Sequence, residues 1–523
     1  MCGINGIVSN SYSEDRLRDN IHSMNNDIIH RGPDSEGIFI EKNIGLGFRR
    51  LAIIDLSKNG DQPMLSQSRK LIIVFNGEIY NFKFLKDYLK KNFNVSFIGS
   101  SDTEVLLMLI EKLGLKEALE MTQGMFALAV FDKRNNSIHL CRDRIGEKPL
   151  YYALIGNSLF FSSELKPIIK TLKNQLTLDR DNINFFIHKS YFPEGSSVFK
   201  EVKKIVPGTI NSFFFENGNI VKTKTTTYWS FEEEVDNSLL ALQTDYTDSK
   251  HYLNDLLERK VKERMISDVP LGAFLSGGYD SSLIVALMQQ NNSERIKTFS
   301  IGFDAPEYNE AIYAKEIASY LGTEHTELYI TDKELLETIY KIPTIYSEPF
   351  ADSSQIPTIL LSNLTKTQVT VSLSGDGGDE IFGGYGRYFL GQRIVNTLGR
   401  VPYSLRSFIR KTRLLDNSLS KFFLHLLIGK SVTNFPQKFQ KLNKIFDFKG
   451  ETDLYEKLST FENKFLPNNL QSPLFNKNIW SKDLSYAEKA MMQDTVDYLP
   501  GDILRKVDFW SPVLRLTSIS GKS

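Results

Sequence analysis

The sequence predicts two globular halves of different texture: an α+β half built from short β-runs, then an α/β half with a parallel sheet and a helical end. Three observations predict this. The chain has 523 residues, more than a single hydrophobic core serves. Up to about residue 230 the apolar residues come in short runs separated by turns. From about 248 short strands alternate with segments of helical periodicity.

The β-runs of the first half are GINGIVS, NIGLGF, LAIIDL, KLIIVFNG, MFALAVFD, SIHLCRD, PLYYAL and SLFFSS. One helix interrupts them: Ser101 and Glu104 have capping-box spacing ahead of EVLLMLIEKL. TINSFFFENGNIVKTKTTTYW places two β-runs around Glu-Asn-Gly, a hairpin signal. The polar, acidic EEEVDNSLLALQTDYTDS reads as a connector, giving domains 1–230 and 248–523 joined by a 231–247 linker. HYLNDLLERKVKERM opens the second half with helical periodicity. GAFLS then SSLIVALMQQ, KTFSIGF then EAIYAKEIASYLG, and QVTVSLS supply the alternation of a parallel sheet. Beyond about 390 the pattern is mostly helical.

Formal net charge is +0, so no global field favours nucleic acid or a membrane surface. No apolar run approaches the ~18 residues a spanning helix needs, and MCGINGIV lacks the basic start and long apolar core of a signal peptide. Cys2 and Cys141 make no disulfide framework, the usage of a reducing compartment, so a cytoplasmic protein is the expectation. Segment 393–446, rich in Lys and Arg with the one acid Asp416, reads either as a solvated helical face or as a surface for a membrane or polyanion.

Cys2 is the most informative residue. Once Met1 is removed, its thiol shares a residue with a free α-amino group, whose reference pKa is ~8. Nucleophile and base then need no histidine partner. HRGPD (30–34), FRRLAIIDL (48–56), FNGEIYN (75–81) and SDTE (101–104) stand among the β-runs. Singly, each has a structural explanation as a turn, a solvated edge or a helix start. Together they supply what amide hydrolysis needs. Asn76 offers a side-chain NH₂ and Gly77 an unshielded backbone N–H to a tetrahedral oxyanion. Arg50 can fork a carboxylate and Asp102 can take an α-ammonium. Glutamine is the natural ligand for that set.

MCGI, HRGPD, RRLAIIDL, NGEIYN, SDTEVLL, GMFALAVFD, RDRIGEKPLYY and FSSELK occur in order. Over about residues 2–230 they resemble the class II glutamine amidotransferase domain, most closely that of the asparagine synthetase B branch. The resemblance implies an αββα sandwich of the N-terminal nucleophile type, with the nucleophile at the start of the first strand. It implies Cys2 as nucleophile, Asn76 and Gly77 as oxyanion donors, and Arg50, Leu51, Ala52, Ile53, Ile54, Asn76, Gly77, Glu78 and Asp102 as glutamine contacts.

In the second half, LGAFLSGGYDSSLIVAL (271–287) runs strand, Gly-rich turn, helix. Ser276, Gly277 and Gly278 can turn N–H groups toward an anion, Ser281 and Ser282 add hydroxyls, and the helix presents its positive end. Asp280 makes sense if Mg²⁺ bridges it to phosphate oxygens. There is no GxxxxGK[ST]. SGGxDSS after a strand resembles instead the PP-loop of enzymes that cleave ATP to AMP and pyrophosphate. VTVSLSGDGGDEIFGGY (369–385) resembles the SGxGxDExFGGY element of asparagine synthetases. That resemblance implies Ser374 and Gly375 on ATP, Leu275 and Ile301 beside adenine, Asp379 with Asp280 on Mg²⁺, and Asp376 as catalytic carboxylate, where many relatives carry Glu. SIGFDAPEYNEAIYAKEIASYLGTEHTE (300–327) and SEPFADSSQIP (347–357) match the same family.

The implied reaction takes glutamine, aspartate and ATP to asparagine, glutamate, AMP and pyrophosphate. Ammonia carried directly between the two sites would stay neutral and concentrated. A homodimer is compatible with the resemblance; nucleic acid is not an expected partner. Two alternatives stay open: amidation of another carboxylate, such as a sugar acid in surface-polysaccharide assembly, or a non-enzymatic remnant. The second rests on the C-terminus. After DILRKVD (502–508) the family continues Arg-Ala-Ser-Met, whereas this chain reads FWSPVLRLTSISGKS, so the synthetase domain reads as truncated or altered after 508.

Overall fold

GINGIV is buried at every position as β1 (Gly3–Val8), the pattern of a strand covered on both faces. β2 (Ser35–Glu41), β3 (Ile44–Arg50), β4 (Met64–Leu65), β5 (Leu71–Ile79) and β6 (Gly124–Asp132) follow. Next come β7 (Ser137–Arg142), β8 (Tyr151–Ile155), β9 (Ser158–Ser162), β10 (Val202–Lys204), β11 (Thr209–Glu216) and β12 (Asn219–Thr227). They make two six-stranded antiparallel sheets, β10-β8-β9-β1-β3-β2 and β12-β11-β7-β6-β5-β4. The computed structural model describes residues 2–240, 245–303, 309–411, 445–460, 476–510 and 514–516.

Alternate residues of β5 belong to two cores. Ile72 and Val74 pack with Ile4, Leu46 and Phe48 between the sheets. Ile73 and Phe75 pack with Val105 and Leu109 under the helices Phe82–Phe93 and Asp102–Leu113. The helix Glu14–Asp27 lies on β1 and β3 and buries Leu17, Ile21 and Met24. The layers are therefore helix, sheet, sheet, helix: the αββα sandwich. The hairpin signal is realised as β11 and β12 around Asn217 and Gly218, both at positive φ (49° and 78°), as a two-residue hairpin turn requires.

β13 (Leu271–Phe274), β14 (Lys297–Phe303), β15 (Glu324–Ile330), β16 (Val371–Ser374) and β17 (Leu514–Leu516) form a wholly parallel sheet, in the order β15-β14-β13-β16-β17. Helices Tyr279–Gln290 and Ala311–Leu321 connect β13 to β14 and β14 to β15. β17 comes from the tail that fits no family pattern; residues 514–516 pair with 372–374 at the sheet edge.

Some local expectations change. LAIIDL is not a strand: β3 ends at Arg50, and 51–56 is irregular because its backbone is spent on side chains. Ser101 does cap its helix, accepting from Glu104 N at 3.2 Å. Glu104 does not return the bond; its carboxylate accepts from Ile98 N and Gly99 N (2.7 and 2.8 Å). The connector is itself helical over Phe231–Leu239, capped by Ser230.

The chain packs as two compact units. One comprises Met1–Ile183, Phe192–Gly377 and Pro500–Ser523; the other comprises Asn184–Tyr191 and Gly378–Leu499. The first holds a buried polar hub at Glu348. Its carboxylate accepts from Val198 N (2.7 Å) and Tyr151 Oη (3.3 Å), pairs with Arg505 (2.7 Å), and stands 4.0 Å from Lys204 Nζ. Desolvation lowers Lys204 to about 8, although Glu348 pulls it upward. In the second unit Asp494, on the helix Tyr486–Val496, accepts from Arg387 (2.8 Å) and Tyr388 (2.5 Å) within an aromatic core. Most of the basic stretch 393–446 lies outside the described residues.

Candidate active sites

Cys2 sits just before β1. Its Sγ donates to the Leu51 carbonyl (3.6 Å) and accepts from the Leu51 amide (3.5 Å). Burial raises the thiol above its ordinary value; the positive amino terminus, the Leu51 amide and Arg50 pull it down. A cavity of about 50 Å³ opens here, lined by Cys2, Arg50, Leu51, Asn76, Gly77 and Asp102. Ile53, Ile54 and Glu78 complete its expected walls. Ala52 is not among the lining residues; its amide donates to Asp34 (2.8 Å).

Asn76 shares the strand face of Ile72 and Val74, between the two sheets. β5 runs three residues beyond it, so Asn76 is interior to the strand and does not end it. Its Nδ2 is buried and has no hydrogen-bond partner among the described residues. Leaving such a donor unspent costs about 1–3 kcal/mol, which a ligand oxygen in the cavity would recover. Gly77 pairs with Phe126 across the strands. A Cβ there would stand 2.2 Å from the Met125 carbonyl, so only glycine lets β5 and β6 close at this point.

Asp102 accepts from Ile79 N (2.8 Å). Burial, with Glu78 adding to it, raises its carboxyl to about 7. Arg50 is committed to the neighbouring loop. Nη1 donates to Ser57 O (2.7 Å) and to Asp61 (2.8 Å), and Nη2 donates to Asp55 O. The residue expected to clamp a substrate carboxylate thus also holds the 55–61 wall in place.

Residues outside the expected set complete the site. Arg31, from HRGPD, donates through Nε to the Cys2 carbonyl (3.0 Å) and through Nη1 to Glu164 (3.2 Å). Gln62 braces β5: Phe75 N donates to its Oε1 (2.6 Å). Lys148 lines the cavity. Arg31 and Lys148 lie inside motifs that carry the resemblance, HRGPD and RDRIGEKPLYY; Gln62 carries no signal short of the fold.

Asp102 gives a pH prediction. As it ionises, kcat/KM for glutamine is expected to rise through about pH 7. Asp102→Asn should erase that limb. Between the unfolded value of ~3.9 and about 7 the folded chain holds a proton that the unfolded chain has lost, so this group's contribution to stability falls as pH rises across that window. Asp102→Asn should therefore raise Tm at pH 8 and leave it unchanged at pH 4; a lower Tm at pH 8 would contradict the assignment.

In the second half the β13–helix turn is held by its own serines. Ser276 Oγ lies 2.9 Å from Ser281 Oγ, Gly278 N donates to Ser276 Oγ (3.3 Å), and Ser282 Oγ donates to Gly278 O (2.6 Å). The turn after β16 reaches the same place. A Cβ on Gly375 would meet Ser281 N at 2.7 Å and Asp280 at 3.0 Å, so glycine is what lets the two turns touch. Ser374 Oγ donates to Asp376 (2.7 Å). A cavity of about 820 Å³ opens beside them, lined by Leu275, Ser276 and Ile301 of the expected set, with Ser300, Ser354 and Ile356. Gly277, Gly278, Asp280, Ser281, Ser282, Ser374 and Gly375 are not among its lining residues. Asp280 belongs to the first unit and Asp379 to the second. Among the described residues no group of three or more His, Cys, Asp or Glu side chains is placed to hold a metal, and no helix is long and apolar enough to cross a membrane.

Comparison with known proteins extends over both halves. The glutamine amidotransferase domain family matches residues 1–229, and the asparagine synthase family matches residues 252–511. The chain is 38% identical to a putative glutamine-hydrolyzing asparagine synthetase 2 of Methanocaldococcus jannaschii over 430 residues, 78% of this chain and 79% of that protein. It is 33% identical to glutamine-hydrolyzing asparagine synthetase 1 of Bacillus subtilis over 527 residues, 97% of this chain and 77% of that protein. The Escherichia coli asparagine synthetase B is 31% identical over 74% of this chain and 65% of its own length. The cysteine-headed sandwich and the parallel sheet with its paired glycine turns are thus parts of one known architecture: the chain belongs to the glutamine-hydrolysing asparagine synthetase family.

Proposed function

We propose that residues 1–230 hydrolyse glutamine and that residues 248–523, joined through 231–247, use the ammonia to convert aspartate to asparagine at the expense of ATP. The observation that carries this is the unspent Asn76 Nδ2 in the cavity that holds the Cys2 thiol. A buried nucleophile beside an unpaired donor is the requirement of acyl transfer.

With Met1 removed, the α-amino group of Cys2 takes the thiol proton. Sγ attacks the side-chain carbonyl carbon of glutamine, and Asn76 Nδ2 and Gly77 N–H hold the oxyanion. The α-ammonium returns that proton to the leaving nitrogen, so collapse expels ammonia and leaves a thioester, which water cleaves to glutamate with the thiol restored. Arg50 and Asp102 hold the two charged ends of the substrate, with Leu51, Ala52, Ile53, Ile54 and Glu78 about its length. In the second half the aspartate carboxylate attacks the α-phosphorus of ATP, forming an acyl-adenylate and releasing pyrophosphate. Ammonia then displaces AMP. Leu275 and Ile301 flank adenine; Ser276, Gly277, Gly278, Ser281, Ser282, Ser374 and Gly375 surround the phosphates; Asp376 takes the proton that ammonia sheds. Asp280 and Asp379 are each hard oxygen donors of the type Mg²⁺ takes when substrate phosphates fill its remaining positions, and they are the residues that would hold that ion. When bound, it offsets the charge of the phosphates.

The test is mass spectrometry of products from aspartate, ATP and amide-¹⁵N glutamine. Labelled asparagine with equimolar AMP and pyrophosphate is expected. Amidation of a sugar acid and not of aspartate would replace the acceptor; no glutamate at all would end the proposal.

A further inference from the structure

We propose that Asp508, far along the chain from the nucleophile, is a positioning residue for Cys2 and acts on it through Arg31. This rests on the glutaminase function proposed above and adds to it a contribution from the synthetase half.

The contacts form a continuous path. Cys2 is anchored through its own carbonyl, which accepts from Arg31 Nε (3.0 Å). Arg31 is almost wholly buried and spends its other nitrogens on two carboxylates, Glu164 at 3.2 Å and Asp508 at 2.7 Å. Glu164 comes from the same sandwich, directly after β9; Asp508 comes from the helix Leu504–Trp510. The second oxygen of Asp508 pairs with Lys148 Nζ at 3.1 Å, and Lys148 lines the Cys2 cavity. One carboxylate thus fixes both the cation that holds the nucleophile's backbone and a cation in the nucleophile's wall. Burial alone would raise the Asp508 carboxyl; Arg31 and Lys148 hold it below the ordinary range, so it remains charged across the working pH range.

The backbone that presents Asp508 is also fixed from the other direction. Arg505 pairs with Glu348 at 2.7 Å. Lys506 Nζ donates to Ser354 Oγ (2.7 Å) and lies 3.5 Å from Asp352, and Ser354 lines the 820 Å³ cavity. The turn that sets Asp508 therefore rests on the wall of the second site. A guanidinium with three fixed acceptors has one orientation; without Asp508 it keeps two, and the Cys2 carbonyl loses its fixed register. Sγ then wanders from its place beside Leu51, and reacting groups out of line lower the rate without changing how substrate ends are held.

The experiment uses the full chain with Asp508→Asn, Arg31→Lys and the double variant, with Asp508→Glu as a charge-preserving displacement and Cys2→Ala as control. Asp508→Asn is expected to lower glutaminase kcat about tenfold with KM for glutamine within about twofold. The double variant should be no worse than the poorer single, because both act through one contact. Parental kcat in folded Asp508→Asn, an equal loss in KM, or fully additive losses would overturn the proposal. Should Asp508→Asn not accumulate as folded protein, Asp508→Glu decides: a kcat-only loss of several-fold is expected, and parental kcat overturns it. Absent glutaminase in the parent, or activity retained by Cys2→Ala, would instead bring down the underlying function.

Discussion

Cys2→Ala is expected to abolish glutamine hydrolysis while leaving ammonia-driven ligation at the parental rate. No other cysteine can substitute: Cys141 lies buried in β7 and its thiol is pushed well up by burial. The methyl group of alanine fits the space of the thiol, so the fold should survive and the loss should be chemical. Asn76→Ala is the graded companion. It removes one oxyanion donor and should lower kcat by roughly 10²–10³ with little change in KM. Arg50→Ala should act differently, raising KM strongly and also lowering Tm, because the loop 55–61 loses its hydrogen bonds to the guanidinium. Measured glutamate release, KM and melting temperature separate the three. Undiminished hydrolysis in Cys2→Ala, or Met1 retained in active protein, would remove Cys2 from the mechanism.

Asp280→Ala and Asp379→Ala are each expected to eliminate acceptor-dependent pyrophosphate release and to spare basal glutaminase. Asp280 stands in the first turn of the helix Tyr279–Gln290, beside the serine-braced turn. A carboxylate there repels bare phosphate and becomes useful only with a cation between them. Asp280→Asn keeps the shape and removes the charge, so its loss of activity should match that of the alanine variant and be partly recovered at high Mg²⁺. Pyrophosphate release at the parental rate in either alanine variant would exclude these carboxylates from the nucleotide site.

Local signals revealed the β-rich first half and the parallel sheet of the second, through apolar runs, an Asn-Gly turn and glycine turns at strand ends; the αββα layering of the first half followed only from the family resemblance. The sequence also named most walls of the Cys2 cavity, since those residues cluster in short motifs. What stayed hidden depends on contacts between distant segments. LAIIDL looks like a strand by composition, yet Arg50 draws the backbone of its last residues into a loop. Glu104 has the spacing of a capping box, yet its carboxylate is claimed by Ile98 and Gly99. Lys148 and Asp508 lie 360 residues apart and meet only because two sheets and a helix converge. The Leu514–Leu516 strand has no local signal strong enough to stand out from an unfamiliar tail.

The Glu348 hub bears on how such an enzyme could be cut or recombined. Lys204, Tyr151 and the Val198 amide come from the sandwich half, Glu348 and Arg505 from the half that carries the parallel sheet. Splitting the gene near residue 230 would strand buried cations and a buried carboxylate on opposite fragments. Each broken buried pair costs about 3–5 kcal/mol, a large part of a domain's stability margin of ~5–15 kcal/mol. Swapping one half for that of a relative should succeed only when both sides of the hub travel together, so its residues form a compatibility code for chimeras. In lineages that shuffle modules, this seam would be inherited as one piece.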